Sequence, residues 1–286
     1  LTDDAGKLID IGALYNLLLY IFAEEAGKKI NNVLTPKEVI GLVAELIGDN
    51  KDNNSLCDPV SGSGTLLVEV GKRVGIRGAN IFGQEANWNQ YALTKMNLML
   101  NGFKDSTFFW GDSLSNPKLT DDGGLKRFDI FSSIPPFADK WATEEAEFDR
   151  YGRFQYGIPP RSQATWAYIS HILASLKPNG RAVVVVPAGV LFRTSESKIR
   201  HQIIEHNLLE TVIELPQNLF YGAAISTAIL VFRKDRKTTQ TLFMDARKGY
   251  ISNKGIYKLS DTMVEQLLNT YKGFLSGEQV WQENSC

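Results

Sequence analysis

Asp58-Pro59-Val60-Ser61-Gly62-Ser63-Gly64-Thr65 stands between a short apolar run, Leu56-Cys57, and a helical pattern that opens at Thr65. Glycines in a turn from strand to helix let the backbone pass close to a ligand, and the free amides of the first helical turn face whatever lies above the strand ends. A carboxylate about 20 residues further on, at the end of the next strand, commonly accepts from ribose hydroxyls. Glu85, closing Ile81-Phe82-Gly83-Gln84-Glu85, occupies that position. Taken alone, this pair also fits a tight turn followed by a surface glutamate.

Outward from that turn, short apolar runs alternate with helical spacing. Strands are predicted near 55–58, 80–84, 106–110, 128–133, 181–187, 210–215 and 226–232, and helices near 65–74, 88–101, 164–176 and 196–206. Continuous apolar strands such as Ala182-Val183-Val184-Val185-Val186 suit a parallel sheet covered on both faces. The expected fold class is therefore α/β, doubly wound. Upstream, Ile11, Leu14, Leu17, Leu18 and Ile21 repeat at the three-and-four spacing of one helical face, and Tyr15, Tyr20 and Phe22 read as core. Thr35-Pro36, with Glu38 three residues after the threonine, predicts a helix N-terminus over 36–47. Residues 138–163 interrupt the rhythm directly after a strand; a loop of that length in a compact domain usually covers a site. One more helical pattern falls near 260–272.

Composition narrows the function classes. Lysine plus arginine total 31 against 32 acidic residues, a net charge of −1, so bulk electrostatics will not hold nucleic acid, whose affinity comes from many cations neutralising phosphates. The basic tract from Arg233 to Lys258 reads as a solvated edge or a local phosphate contact. The apolar stretches 11–23 and 182–192 are shorter than the ~18 residues of a spanning helix, so no membrane segment is expected. Two cysteines and three histidines show neither a disulfide framework nor zinc-ligand spacing, and no metal site is expected. His171 reads as packed or surface, and His201 and His206 as solvent-facing. A reducing, cytoplasmic compartment fits this cysteine usage. The chain opens on Leu1 and reads as a fragment.

A second chemical segment is Ser133-Ile134-Pro135-Pro136-Phe137, after the strand Phe128-Asp129-Ile130-Phe131-Ser132. Two prolines fix an extended path and remove two amide donors, leaving carbonyls free to accept, with the Phe137 ring beside them. That is a platform for a planar base, or a stiffened strand exit with a core phenylalanine.

Together the two segments resemble the gamma-class adenine amino-methyltransferases, most closely the modification subunit of type I restriction-modification systems. Further stretches match in order: Leu34-Thr35-Pro36-Lys37-Glu38-Val39, GQEANWNQYALTKMNLMLNG, Gly111-Asp112-Ser113-Leu114-Ser115-Asn116-Pro117, YGIPPRSQATWAYISHIL, RAVVVVPAGVLFR and TAILVF. The resemblance implies a seven-stranded, mainly parallel Rossmann-like sheet with its last strand antiparallel. Around it would lie a helical lead-in over 1–34, a methyltransferase core over 35–245 and a C-terminal extension over 246–286. It implies an S-adenosylmethionine site: Leu34, Thr35 and Pro36 near the methionine part, Asp58, Gly62, Ser63, Gly64 and Thr65 beside the sulfonium and ribose, Glu85 on the ribose hydroxyls, Asp112 and Ser113 at the adenine. A target adenine flipped out of double-stranded DNA would meet the Pro135 carbonyl, position 134 and the Phe137 ring, with Pro136 stiffening the exit. Residues 138–163 would form a lid or a DNA-facing surface. Implied partners are a specificity subunit, a second modification subunit and a restriction subunit.

The pattern is broken at position 134, where the family carries asparagine or aspartate. Isoleucine accepts nothing, and Ser132, two residues earlier on the same strand face, is the nearest replacement oxygen. Ser61, Thr165 and Ser226 are milder departures. Three functions follow as alternatives: an adenine-N6 DNA methyltransferase, a pseudo-methyltransferase that keeps cofactor and DNA binding without transfer, and a protein-glutamine or RNA methyltransferase.

Overall fold

The computed structural model describes residues 10–26, 35–48, 54–220, 225–253 and 256–278. The chain begins with helices α1 (Ile11–Ala26) and α2 (Lys37–Ile47). It continues through β1 (Leu56–Asp58), α3 (Thr65–Val74), β2 (Ile81–Glu85), α4 (Trp88–Leu100) and β3 (Thr107–Trp110). A short hairpin, β4 (Thr120–Asp121) and β5 (Gly124–Leu125), leads to β6 (Phe128–Ser133) and the single turn α5 (Glu144–Glu147). Then come α6 (Thr165–Ala174), β7 (Leu176–Pro187), α7 (Ser197–Glu205), β8 (Leu209–Glu214) and β9 (Thr227–Arg233). The final elements are β10 (Leu242–Asp245), a hairpin of β11 (Tyr250–Asn253) and β12 (Ile256–Leu259), and α8 (Asp261–Ser276).

One eight-stranded sheet runs in the order β10-β8-β9-β7-β6-β1-β2-β3. β9 is antiparallel to both of its neighbours, β7 and β8, and every other pairing is parallel. The eighth strand, β10, goes beyond the seven expected from the sequence. Its four residues are too short for a period, and they gain strand character from pairing Leu242 to Asp245 with Thr211 to Glu214 of β8.

The apolar run in β7 now has its physical reason. Val183 and Val185 enter the core layer made with α2, α3 and α8, while Ala182, Val184 and Val186 enter the opposite layer under α6 and α7. A strand with no solvent face has no polar alternation. α8 extends the first layer, and its Tyr271 hydroxyl donates to Glu210 Oε1 at 2.7 Å.

Two local readings are corrected. The helix after Pro36 starts at Lys37 with Pro36 as its cap and no side-chain capping bond; Thr35 is buried and its carbonyl accepts from the Tyr20 hydroxyl. Tyr15 and Tyr20 of α1, read as core, are only half-buried, and Ile11, Leu14, Leu17, Leu18 and Ile21 all face outward. The helix instead packs through small and polar groups: Gly12 lies against Asn101, Asn16 Nδ2 donates to Glu69 of α3, and the partly buried Tyr15 donates to the Leu93 carbonyl of α4. The side chain of Phe22 lies outside the described residues.

β1 is the switch point of the sheet. Leu56 pairs with Ile81 of β2 on one side and with Ile130 of β6 on the other, so the chain leaves β1 in one direction and later returns in the other. The carboxyl ends of these three strands carry Asp58, Glu85 and Ser133, and such a crevice is where open α/β sheets bind ligands.

Candidate active site

The Asp58–Thr65 turn is held by hydrogen bonds from several elements. Asp58 Oδ1 accepts from the Val60 amide at 3.1 Å and closes the turn's entry. The Gly62 amide donates to Glu85 Oε2 at 2.8 Å, Thr94 Oγ1 of α4 donates to the Gly62 carbonyl at 2.6 Å, and Asn97 Nδ2 donates to the Ser63 carbonyl at 3.2 Å. Ser63 and Thr65 hydroxyls lie 3.0 Å apart. Gly64 has φ 74°, and a Cβ there would meet Thr94 Cγ2 at 2.6 Å, so conformation and space both demand glycine.

Glu85 is 9 % exposed, and burial raises its pKa against the pull of the Asn87, Gly62 and Ala86 amides. Its Oε1 accepts from the Asn87 amide at 2.8 Å. A carboxylate offers about four acceptor sites, and the Gly62 and Asn87 amides take one on each oxygen. Part of its acceptor capacity is left for other donors. Nearby, the charges of Glu85, Asp112 and Asp139 add to burial in keeping Tyr168 in its phenol form. An acidic crevice of this kind suits a cationic ligand.

Asp112 binds its own turn, Oδ1 accepting from the Leu114 amide at 2.8 Å and Oδ2 from Ser115 Oγ at 3.1 Å. Ser113 is turned inward: its Oγ donates to the Pro59 carbonyl at 2.8 Å and braces the glycine turn. Gln84 adds a second brace, donating to the Gly111 and Asn116 carbonyls and accepting from the Lys118 amide. Leu34 lies outside the described residues.

The proline segment lies beside this cradle. Ser133 Oγ donates to Asp58 Oδ1 at 2.7 Å, both groups being buried, so the last residue of β6 is tied to the first of the turn. Burial drives the Asp58 pKa up to about 7, and the neighbouring Glu85 charge adds to this against the Ser133 and Val60 bonds. Ile134 is half-buried against the larger core layer, Pro135 is buried, and Phe137 meets Phe220 edge-on with ring centroids 5.6 Å apart. Ser132 is fully buried and its Oγ has no hydrogen-bond partner among the described residues.

Residues 138–163 form an anchored strap with a small core of its own. Trp141 is buried with Ala146 against Leu114, Ala164, Ala167 and Tyr168, and its ring lies 5.0 Å from that of Phe154. Arg153, 3 % exposed, pairs with Asp149 at 2.7 Å and donates through Nη1 to the Ser113 and Leu114 carbonyls. His171 is buried 3.5 Å from that guanidinium; burial first, and the Arg153 charge second, push its pKa down to about 3 and leave it neutral. His201 and His206 are exposed.

The basic tract after β9 is largely engaged locally. Arg233 pairs with Glu210 and Asp235, Arg247 with Asp245 and Glu214, and Arg236 donates to the Leu209 and Gln240 carbonyls. Lys234 donates to the Leu176 carbonyl, and burial lowers its pKa to about 8. Among the described residues no group of three or more His, Cys, Asp or Glu could hold a metal ion, and no helix is long and apolar enough to cross a membrane.

This arrangement of strand ends has known relatives. The family model for N-6 DNA methylases matches residues 8–285. The chain belongs to the N-6 DNA methylase family. Within it, the chain is 32% identical over 281 residues to the type I restriction enzyme MjaVIII methylase subunit of Methanocaldococcus jannaschii, covering 92% of this chain and 48% of that protein. It is 29% identical to the HindI methylase subunit of Haemophilus influenzae, covering 88% of this chain and 60% of that one. The crystal structure of a type I restriction-modification methyltransferase subunit from Streptococcus thermophilus superposes with a TM-score of 0.84 at 30% identity, covering 95% of this chain and 59% of that one. The chain thus spans about half the length of the curated relatives it matches. Family and fold together imply use of S-adenosylmethionine.

Sequence reading missed Thr94, Asn97, Gln84 and Arg153 as parts of the site, and it did not foresee the bond from Ser133 to Asp58. Thr94 and Asn97 carry a usable signal, buried polar residues three apart on one helix face. Arg153 carries little: Asp149 is a local partner four residues earlier, but the Ser113 and Leu114 carbonyls it serves are distant in sequence.

Proposed function

We propose that the chain is the catalytic core of an S-adenosylmethionine-dependent adenine-N6 DNA methyltransferase, the modification subunit of a type I-like restriction-modification system. The observation that carries this reading is the Ser133–Asp58 hydrogen bond, which sets the proline-proline-phenylalanine segment against the glycine turn on adjacent strands. When bound, S-adenosylmethionine supplies a methyl group on a sulfonium, and the reaction moves that methyl to adenine N6 with loss of one N6 proton.

In this reading Thr35 and Pro36 border the methionine end, with Leu34 assigned there by resemblance. Asp58, Gly62, Ser63, Gly64 and Thr65 cradle the sulfonium and ribose. Glu85 accepts from the ribose hydroxyls, and Asp112 accepts from the adenine amine of the cofactor, while Ser113 holds the turn. A flipped adenine meets the Pro135 carbonyl and the Phe137 face, with Pro136 fixing the path between them. Ile134 contributes bulk and no acceptor, so proton removal from N6 runs with one preorganised contact fewer than an asparagine would give. Sequence choice falls to a separate specificity subunit, and a second modification subunit and a restriction subunit complete the expected assembly, in accord with a net charge of −1. The surroundings expected for it are cytoplasmic.

The test is methyl transfer from labelled S-adenosylmethionine to unmethylated duplex DNA in the presence of the specificity partner, with nucleosides resolved by mass spectrometry. N6-methyladenine is the expected product. Cofactor binding without any methyl incorporation would favour a pseudo-methyltransferase, for which Ile134 is the specific observation. Methylation of RNA or of protein glutamine in place of DNA would also overturn the proposal.

A further inference from the structure

Arg153 lies in the middle of the 138–163 strap, yet its guanidinium is engaged elsewhere. Nε donates to Asp149 Oδ1 at 2.7 Å, the Arg153 amide donates to Asp149 Oδ2, and Nη1 reaches the carbonyls of Ser113 at 3.2 Å and Leu114 at 2.8 Å. Those two carbonyls follow directly on Asp112, and they sit in an irregular turn where no strand partner serves them. Buried carbonyls need a donor, and the planar guanidinium fork, with several N–H groups in fixed directions, serves a carboxylate and two carbonyls at once. Ser113 carries the chain of contacts onward, through its hydroxyl, to Pro59 in the glycine turn. On the other side the guanidinium stacks near the rings of Tyr151 and Phe154, and Phe154 packs on Trp141.

We propose that Arg153 is a positioning residue for the adenine end of the cofactor: it fixes the Asp112–Leu114 turn, and its pairing with Asp149 makes that turn depend on the strap being folded. The inference rests on the reading of Asp112 as an adenine contact. A buried arginine–aspartate pair is by itself weak evidence for stability, since desolvation offsets much of the attraction. Here the pair has a second consequence, because the same guanidinium joins two segments 39 and 40 residues apart in sequence, one of which carries the Asp112 carboxylate. By linkage, occupancy of the adenine subsite then also steadies the strap.

The experiment is calorimetric titration of the wild type, Arg153→Met, Arg153→Lys, Asp112→Asn and the Arg153→Met/Asp112→Asn pair with S-adenosylhomocysteine and with adenosine alone. Arg153→Lys keeps a cation beside Asp149 and loses the fork, so it preserves the fold where methionine fails to. Either Arg153 variant is expected to weaken both ligands by a similar factor of about ten, and the double variant to bind no worse than Asp112→Asn, because neighbours acting through one contact are not additive. Unchanged affinity in a folded Arg153 variant, or losses that add fully in the double variant, would overturn the proposal. A wild type that binds neither ligand overturns the cofactor reading beneath it, which is a separate and recognisable result.

Discussion

The glycine turn and the proline segment end adjacent strands, and they are built on different physics. The Asp58–Thr65 turn is pinned by directional bonds from β2, α4, β6 and the Ser113 turn. Ile134 and Phe137 are held by apolar packing against the core and Phe220. Hydrogen bonds fix atoms to a few tenths of an ångström and punish any loss of a partner, at about 1 kcal/mol per bond and more when a buried group is orphaned. Packing fixes volume and tolerates exchange of similar shapes. A departure from the family pattern on the packed side therefore leaves the fold intact while altering chemistry. The same departure on the hydrogen-bonded side would cost both.

The largest expected effect tests that asymmetry from the packed side. Ile134→Asn restores a polar acceptor at the reacting centre, and single-turnover methyl incorporation is expected to rise about 10²- to 10³-fold over the wild type, with little change in cofactor affinity. An unchanged rate would mean that position 134 does not face the target amine.

The hydrogen-bonded side is probed by a pair of glycines. Gly64→Ala combines a left-handed φ of 74° with a contact of 2.6 Å to Thr94, whereas Gly62→Ala, at φ 56°, meets nothing within 4 Å. Denaturant unfolding should show Gly64→Ala losing on the order of 2 to 3 kcal/mol and Gly62→Ala about 1 kcal/mol. Equal losses would deny Thr94 its part in shaping the turn.

A third test concerns the bond that joins the two sides. Asp58 has an ordinary pKa of 3.8 and is raised by burial to about 7 in the fold, so between those values the folded state holds a proton that the unfolded state has lost. Its contribution thus disfavours folding increasingly as pH rises from about 4 to about 7, and levels off above. Asp58→Asn removes that dependence, so the difference in melting temperature between the variant and the wild type should move in the variant's favour across this window. Ser133→Ala takes away a bond that lowers the Asp58 pKa and should extend the window at its upper end, the lower end being set by the unfolded chain.

What could be read from the sequence follows the same division. The β7 run from Ala182 to Val186 and the turn with its distant Glu85 announce themselves because burial on both faces and backbone geometry act locally on residue choice. β10 escaped notice because Leu242-Phe243-Met244-Asp245 becomes a strand only through its pairing with β8. In α1 the core reading of Tyr15 and Tyr20 fails, because spacing reports a helix but not which side it packs. Arg153 was invisible because one arginine in a polar loop looks like any other until the fold sets it against Ser113 and Leu114. The sign of Ile134, by contrast, was legible from a single residue, and the structure adds that its side chain is half-buried on the core.

Glu85 offers the most direct measurement. Calorimetric titration of S-adenosylmethionine into the wild type and Glu85→Gln should give one site per chain in the wild type and an affinity lower by about tenfold or more in the variant, as expected when a charged acceptor of the ribose hydroxyls is replaced. Equal affinity in the two proteins, or no binding by the wild type, would contradict the account that the strand ends around Asp58 and Glu85 form a cofactor cradle.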